Sequence, residues 1–249
     1  MSDGVSIILA VINEENNIPL LISRIDSLIV TGKITNLKDI VFCDGGSNDR
    51  TLEVIDSLMK EKRPYAVRLE HQNIKPGTAP ASLEALHLAT GRDIVIMDGD
   101  LQHPPEVIAE LVAEKARGYD LVVASRNTEG GQIERTLIRA IISRGAEYLA
   151  RHTVAQARKV RDPISGYFIV DRSYLEKLEP RSGLYKLLLY VMAANPNLRI
   201  SEIPFSFGMR VHGVSKLTQR STHFLRRYLK ELNFYREIQK KSKNHSRVT

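Results

Sequence analysis

Tryptophan is absent from this chain of 249 residues, and cysteine occurs once. A lone Cys43 excludes an intramolecular disulfide, so no covalent staple organises the fold. Cys43 closes an apolar run, which predicts a buried structural thiol. Long apolar runs are also missing. No stretch approaches the ~18–20 apolar residues of a membrane span. The richest one, Leu184 to Ala194, is short and interrupted by Lys186. Met1-Ser2-Asp3-Gly4 leads straight into a short apolar run bounded by Asn13-Glu14-Glu15, a pattern that predicts no signal peptide. Aromatic residues make up only 6% of the chain. With no nucleic-acid motif in view, that argues against a nucleic-acid partner. Compositional bias is lacking too. At 43% hydrophobic and 26% charged, the chain is an ordinary globular protein, neither disordered nor repetitive.

What is present begins with an uneven charge. The net charge of +7 is concentrated from Arg210 onward, where 11 Lys/Arg face 2 Asp/Glu. The preceding residues hold 25 basic and 27 acidic groups. A basic tail on a near-neutral body points to an anionic surface or ligand. The length suits one large α/β domain, alone or with a short appendage.

Short β-rich runs alternate with helical periodicity. Val5 to Val11 reads as a buried strand, followed by a helix with Ile18, Leu21, Ile22, Ile25 and Leu28 on one face. Ile40 to Cys43 is a second strand, and Thr51 to Met59 a second helix. Tyr65 to Leu69 is a weaker strand, and Ala81 to Ala89 a helix. Ile94 to Met97 is the most apolar strand. Pro104-Pro105 starts a helix, where proline is tolerated. Leu121 to Ala124 closes the series. The alternation predicts a largely parallel sheet covered on both faces. Right-handed crossovers place the strand C-termini on one edge, where ligands bind. The polar loops after Val11, Cys43, Met97 and Ala124 should converge there. Beyond residue 125, Ile133 to His152 reads as a helix, and Ile164 to Val170 and Leu198 to Phe207 as strands. These are expected to form a second layer beside the sheet. Thr218 to Lys240 is a final helix.

Asp98-Gly99-Asp100-Leu101-Gln102-His103 is the strongest chemical signal. An extended chain would point alternate side chains the same way, so Asp98, Asp100 and Gln102 could share one ion. Oxygen-only donors suit Mg²⁺ or Mn²⁺. His103 is expected to cap or pack against that loop. Asp44, at the same edge, suits a ribose or base but equally suits a turn before Gly45-Gly46. Asn13 and Glu14 fit nucleotide contacts or a helix cap.

Three segments together resemble the GT-A glycosyltransferases of family 2. Ala10-Val11-Ile12-Asn13-Glu14-Glu15-Asn16 is similar to that family's opening Pro-x-x-Asn-Glu. Asp44-Gly45-Gly46-Ser47-Asn48-Asp49-Arg50-Thr51 is similar to its Asp-Asp-Gly-Ser-x-Asp-x-Thr. The third segment is the Asp-x-Asp. Met97 to Glu106 narrows the resemblance to the dolichol-phosphate mannosyltransferase group. Ser125-Arg126, Ile142 to Gly145, Asp162 to Phe168 and Arg210 to Leu217 follow in that group's order. There are departures: Ala10 replaces the usual Pro, Gly45 replaces a second Asp, and Lys75 to Ala79 replaces a more glycine-rich loop. These leave the nucleotide open.

The resemblance implies a Rossmann-like α/β domain over 1–217, a mostly parallel sheet flanked by helices. A basic amphipathic helix and tail follow over 218–249. It implies inverting transfer of a sugar, mannose from GDP-mannose first and glucose from UDP-glucose second, to a polyprenyl phosphate. The nucleotide sugar would meet Ala10, Ile12, Glu14, Asp44, Asp98 and Gln102, and the metal would sit on Asp98, Asp100 and Gln102. The acceptor phosphate would meet Arg126, Ser143, Ser165, Arg210 and Lys216. The residues expected to carry the reaction are Asp100, Arg126, Asp162, Arg210 and Lys216. A phosphate acceptor is already anionic and needs no strong general base. What it needs is cationic compensation of two phosphate groups. The last helix carries Phe224, Leu225, Tyr228, Leu229, Leu232 and Tyr235, with Arg226, Arg227, Lys230 and Arg236 between them. That pattern fits either an anionic membrane surface or packing on its own domain. A membrane role would place the chain peripherally on the cytoplasmic face, lying on the surface or borrowing the anchor of a small membrane subunit. Two other functions stay open at this point. A sugar-nucleotide nucleotidyltransferase would carry a Gly-rich basic loop that Asn13-Glu14-Glu15 lacks, and a nucleic-acid binder would need only the basic tail.

Overall fold

The computed structural model describes residues 2–128, 137–208 and 221–245. The first half alternates strand and helix as its periodicity dictates. Strand β1 (Ser2–Val11) leads to helix α1 (Asn17–Val30), β2 (Leu37–Asp44) to α2 (Thr51–Lys60), and β3 (Ala66–His71) to α3 (Thr78–Ala85). β4 (Gly91–Asp98) is followed by α4 (Val107–Lys115) and β5 (Leu121–Ser125). Then come α5 (Leu137–Thr153), β6 (Phe168–Asp171), α6 (Arg172–Leu175), α7 (Leu187–Ala194), β7 (Ile200–Pro204) and α8 (Ser221–His245).

The seven strands form one sheet in the order β3-β2-β1-β4-β6-β5-β7. β6 alone runs antiparallel to its neighbours, β4 and β5; the other pairs are parallel. The α/β architecture read from the sequence is therefore present, with one correction. The two late apolar runs do not form a second layer. They enter the sheet itself, β6 between β4 and β5 and β7 at the edge. Phe168, Ile169 and Val170 are buried on both faces, which only an interior strand permits.

Alternating side chains divide into two cores. Ile7, Leu9, Ile40, Phe42, Val95 and Met97 face α1, α2 and α4. Ile8, Val41, Cys43, Ile94 and Ile96 face the other layer. Cys43 is fully buried there, as expected. Burial, followed by the charges of Glu84 and Glu70, pushes its thiol up to about 12. α8 closes this second core with Tyr228, Leu232 and Tyr235. The Tyr228 hydroxyl donates to the Ala146 carbonyl of α5 at 2.8 Å.

Candidate active site

Register fixes the rim of the site. Ala10 pairs with Cys43 on one side and Asp98 on the other, and Val11 pairs with Asp44. The ends of β1, β2 and β4 thus stand level. β5 finishes at the same edge, and antiparallel β6 begins there, with Val123 opposite Phe168.

The loops after β1 and β2 are laced together. The Asn13 N–H donates to Ser47 Oγ at 2.9 Å, and the Asn48 N–H to Asn13 Oδ1 at 2.9 Å. The Glu14 N–H donates to Thr51 Oγ1 at 2.8 Å. Asn13 takes a left-handed backbone with φ 56° to make this possible. Asp44 is buried and accepts from Gly46 N–H at 2.8 Å and Ser47 Oγ at 2.5 Å. It therefore builds its own turn, and its remaining lone pairs are what a ligand could use. A side chain at Gly45 would meet Ile12 at 2.5 Å. Ile12 is exposed, and its side chain would have to shift to admit a second acid there.

The acidic motif does not remain extended. Leu101 has φ 63°, and its side chain is buried. The Gln102 N–H donates to Asp100 Oδ1 at 3.1 Å, while the Asp98 N–H donates to His103 Nδ1 at 2.9 Å. The motif is a tight turn, which corrects the strand-alternation argument for its three side chains. Among the described residues no group of three His, Cys, Asp or Glu could hold a metal. The candidate donor set is two carboxylates and one amide. Gln102 Nε2 donates to the Gly208 carbonyl at 3.4 Å, and its Oε1 is the atom that could face a cation. An all-oxygen set of this kind fits a hard divalent ion.

His103 packs against this turn as expected. It stacks on Tyr167 at 4.9 Å and meets Phe205 and Phe207 edge-on. Burial lowers its pKa to about 4, against the opposing charge of Asp100. The ring is neutral, and its role as acceptor from Asp98 assigns the proton to Nε2.

Across the rim, Asp162 is fully buried and grips Arg126 in a fork. Nε donates to Oδ2 at 2.6 Å and Nη2 to Oδ1 at 2.8 Å. Such a bidentate pair fixes the guanidinium plane and leaves Nη1 for a ligand. Ser143 on α5 donates to Glu147 Oε1, which also accepts from Asn127. Ser143 therefore lies in the neighbourhood of Arg126. Ser165 is turned inward, donating to the Ala124 carbonyl at 2.8 Å and accepting from the Tyr167 N–H. It holds the loop and offers no hydroxyl to an acceptor, contrary to expectation. Arg210 and Lys216 lie outside the described residues, although the chain leading to them reaches Gly208, whose N–H donates to the Gln102 carbonyl at 3.0 Å.

One residue of this rim was not singled out in the sequence. Lys186 lines a cavity of about 40 Å³ together with Ala10, Asp98, Ser165 and Gly166. The signal was visible: it is the only charge in the apolar stretch Leu184 to Ala194.

This chain belongs to glycosyl transferase family 2, whose profile matches residues 6–179. It is 32% identical over 236 residues to the dolichol-phosphate mannosyltransferase of Pyrococcus furiosus, covering 94% of this chain and 65% of that protein. It is 31% identical over 247 residues to the dolichol-phosphate mannosyltransferase of Saccharomyces cerevisiae, covering 95% of this chain and 89% of that one. The fold is shared with glucosyl-3-phosphoglycerate synthase from Mycobacterium tuberculosis, solved with Mn²⁺, UDP-glucose and phosphoglyceric acid. That similarity has a TM-score of 0.66 at 21% identity, covering 93% of this chain and 80% of that one.

Proposed function

We propose that this chain transfers a sugar, mannose from GDP-mannose in the first reading, to a polyprenyl phosphate with inversion at the anomeric carbon. The observation that carries the reading is Arg126. Its guanidinium is locked by buried Asp162 across the rim from Asp98 and Asp100, and two relatives covered over 89% and 73% of their own length are named dolichol-phosphate mannosyltransferase. An acceptor phosphate oxygen would attack the anomeric carbon while the bond from that carbon to the diphosphate breaks. The nucleoside diphosphate leaves with the bonding pair. Ala10, Ile12, Glu14 and Asp44 would line the nucleotide side. Arg126, Ser143, Arg210 and Lys216 would face the acceptor phosphate, with Asp162 orienting Arg126.

Asp98, Asp100 and Gln102 would hold Mg²⁺ or Mn²⁺; the Mn²⁺ in the mycobacterial synthase supports a cation on this fold. When bound, it would supply positive charge to the leaving diphosphate. Asp98 exerts its field on both Arg126 and Lys186, so the acidic turn and the basic groups form one electrostatic unit. Among the described residues no helix is long and apolar enough to cross a membrane. The lipid would be met at the cytoplasmic surface, with α8 as the anionic-surface contact. In support, Leu225 and Leu229 are exposed on α8 at 53% and 44%, beside Arg226, Lys230 and Arg236.

The test is a panel of GDP-mannose and UDP-glucose against dolichyl and undecaprenyl phosphate, with Mg²⁺ or Mn²⁺. Transfer to a lipid phosphate is expected, reduced about a hundredfold or more by Asp100→Ala. Transfer only to soluble phosphorylated acceptors, or undiminished transfer by the variant, would overturn the reading. UDP-glucose as preferred donor is the second reading. Gly45, which leaves no second acid beside Asp44, keeps the choice of base open between the two.

A further inference from the structure

We propose that Glu202 of β7 is a positioning residue for the acceptor side: it fixes the loop that carries Asp162, and through Asp162 it aims the Arg126 guanidinium. This rests on the transfer reading for its substrate and goes beyond it in giving the edge strand of the sheet a part in the site.

Glu202 stands at the edge of the sheet, opposite Val123 of β5. A charge on an edge strand commonly does no more than keep that edge from pairing with other chains. Such a side chain points to water. Glu202 instead turns onto the segment 160–167, which is neither helix nor strand, and engages it with both carboxylate oxygens. Oε2 accepts from the Arg161 N–H at 2.8 Å, and Oε1 accepts from the Asp162 N–H at 3.1 Å. The Arg161 carbonyl in turn accepts from Arg151 Nη2 at 2.6 Å and from Asn127 Nδ2 at 3.0 Å. The peptide joining Arg161 to Asp162 is thus held at both ends by side chains. Pro163 follows and has no N–H to donate, so the next peptide cannot be anchored in the same way.

Arg126 inherits its position from Asp162. The Asp162 carboxylate takes the Arg126 backbone N–H at 3.2 Å in addition to Nε and Nη2. Further along the run of chain that contains Glu202, the Phe207 ring centre lies 5.6 Å from the guanidinium carbon, within reach of a cation–π contact. Asp162 sets the edge of the guanidinium and Phe207 its face. What remains adjustable is where Asp162 stands, and that is what Glu202 fixes. Two adjacent N–H groups call for two acceptor atoms, best supplied with negative charge. A carboxylate provides both, whereas an amide offers one acceptor atom and no charge.

The experiment uses the full chain and the donor–acceptor pair found active in the panel. Glu202→Gln keeps the shape of the side chain but only one acceptor atom. It should raise the acceptor KM about fivefold or more and leave the donor KM unchanged. Arg151→Met loosens the same peptide from its carbonyl end and should move the acceptor KM in the same direction. It keeps the test open if Glu202→Gln lowers the melting temperature. In an Arg126→Lys background, which has no fork to aim, Glu202→Gln should add little further acceptor defect. The inference is overturned if neither variant moves the acceptor KM, if the donor KM rises equally, or if the defects multiply in full. Arginine side-chain NMR keeps this separate from the transfer reading. The Arg126 Nε–H signal, assigned by its absence in Arg126→Lys, should exchange with water about tenfold faster in Glu202→Gln. A chain that transfers no sugar to lipid phosphate but shows this acceleration supports the inference. An unchanged exchange rate sinks it.

Discussion

At the scale of single residues, His103 shows how a side chain can serve a site without touching a ligand. Its Nδ1 accepts the Asp98 N–H and its ring stands in a cage of Tyr167, Phe205 and Phe207. Both features require the neutral imidazole. The folded pKa, about 4, lies below the ordinary 6.5, so the unfolded chain binds more protons between those values. Stability from this residue is complete above the unfolded pKa and is lost as pH falls toward the folded one. Between about pH 7 and about pH 5 the loss should approach ~2 kcal/mol. Urea unfolding at the two pH values measures it, and His103→Asn, which keeps an acceptor without a titration, should flatten the difference. An equal slope in the variant would remove His103 as its source. The sequence made His103's packing role legible from its place after the acidic run. The left-handed turn at Leu101 was not legible, because nothing in a leucine announces a positive φ. The turn is set by hydrogen bonds made elsewhere in the motif.

Elements obey a similar division. β1 to β5 and their helices were readable because apolar runs of strand length alternate with a 3.6-residue stripe, and each run is closed by polar residues. The insertion of β6 between β4 and β5 was not readable, since pairing partners distant in sequence leave no local mark. The lacing of the first two loops lies between these cases. Asn13, Ser47 and Thr51 were visible as residues of motifs, but their mutual bonds were not. Thr51→Val tests that lacing. The valine keeps the shape of a buried threonine but leaves the Glu14 N–H without its acceptor. A loss of about 1–2 kcal/mol in stability is expected, measured by thermal or urea unfolding. The donor KM should rise as the β1 loop loosens. Wild-type stability would mean that another acceptor replaces the hydroxyl.

Across the whole molecule, the positive charge is segregated. The positive excess lies in the segment containing α8, whose inner face is core and whose outer face exposes Leu225 and Leu229. Of the two readings of that helix from the sequence, the structure shows packing on its own domain, and the membrane reading is left to experiment. Binding to vesicles containing anionic lipid should weaken as salt rises. It should fall further in the double variant Leu225→Glu, Leu229→Glu, and co-sedimentation reads both effects. Stronger salt-sensitive binding to RNA than to such vesicles would instead favour a nucleic-acid partner.

The seam that joins α8 to the domain also has an optical consequence. With no tryptophan in the chain, ultraviolet emission comes from tyrosine. Three of the nine tyrosines, Tyr190, Tyr228 and Tyr235, stand buried at or beside this seam. Burial raises the ionisation of each of these phenols. An alkaline titration of near-ultraviolet absorbance should therefore show a late-ionising class. Buried Tyr65 and Tyr167 in the other core ionise late as well, so the seating of the last helix is best read from a tryptophan placed on α8, which would be seen without background.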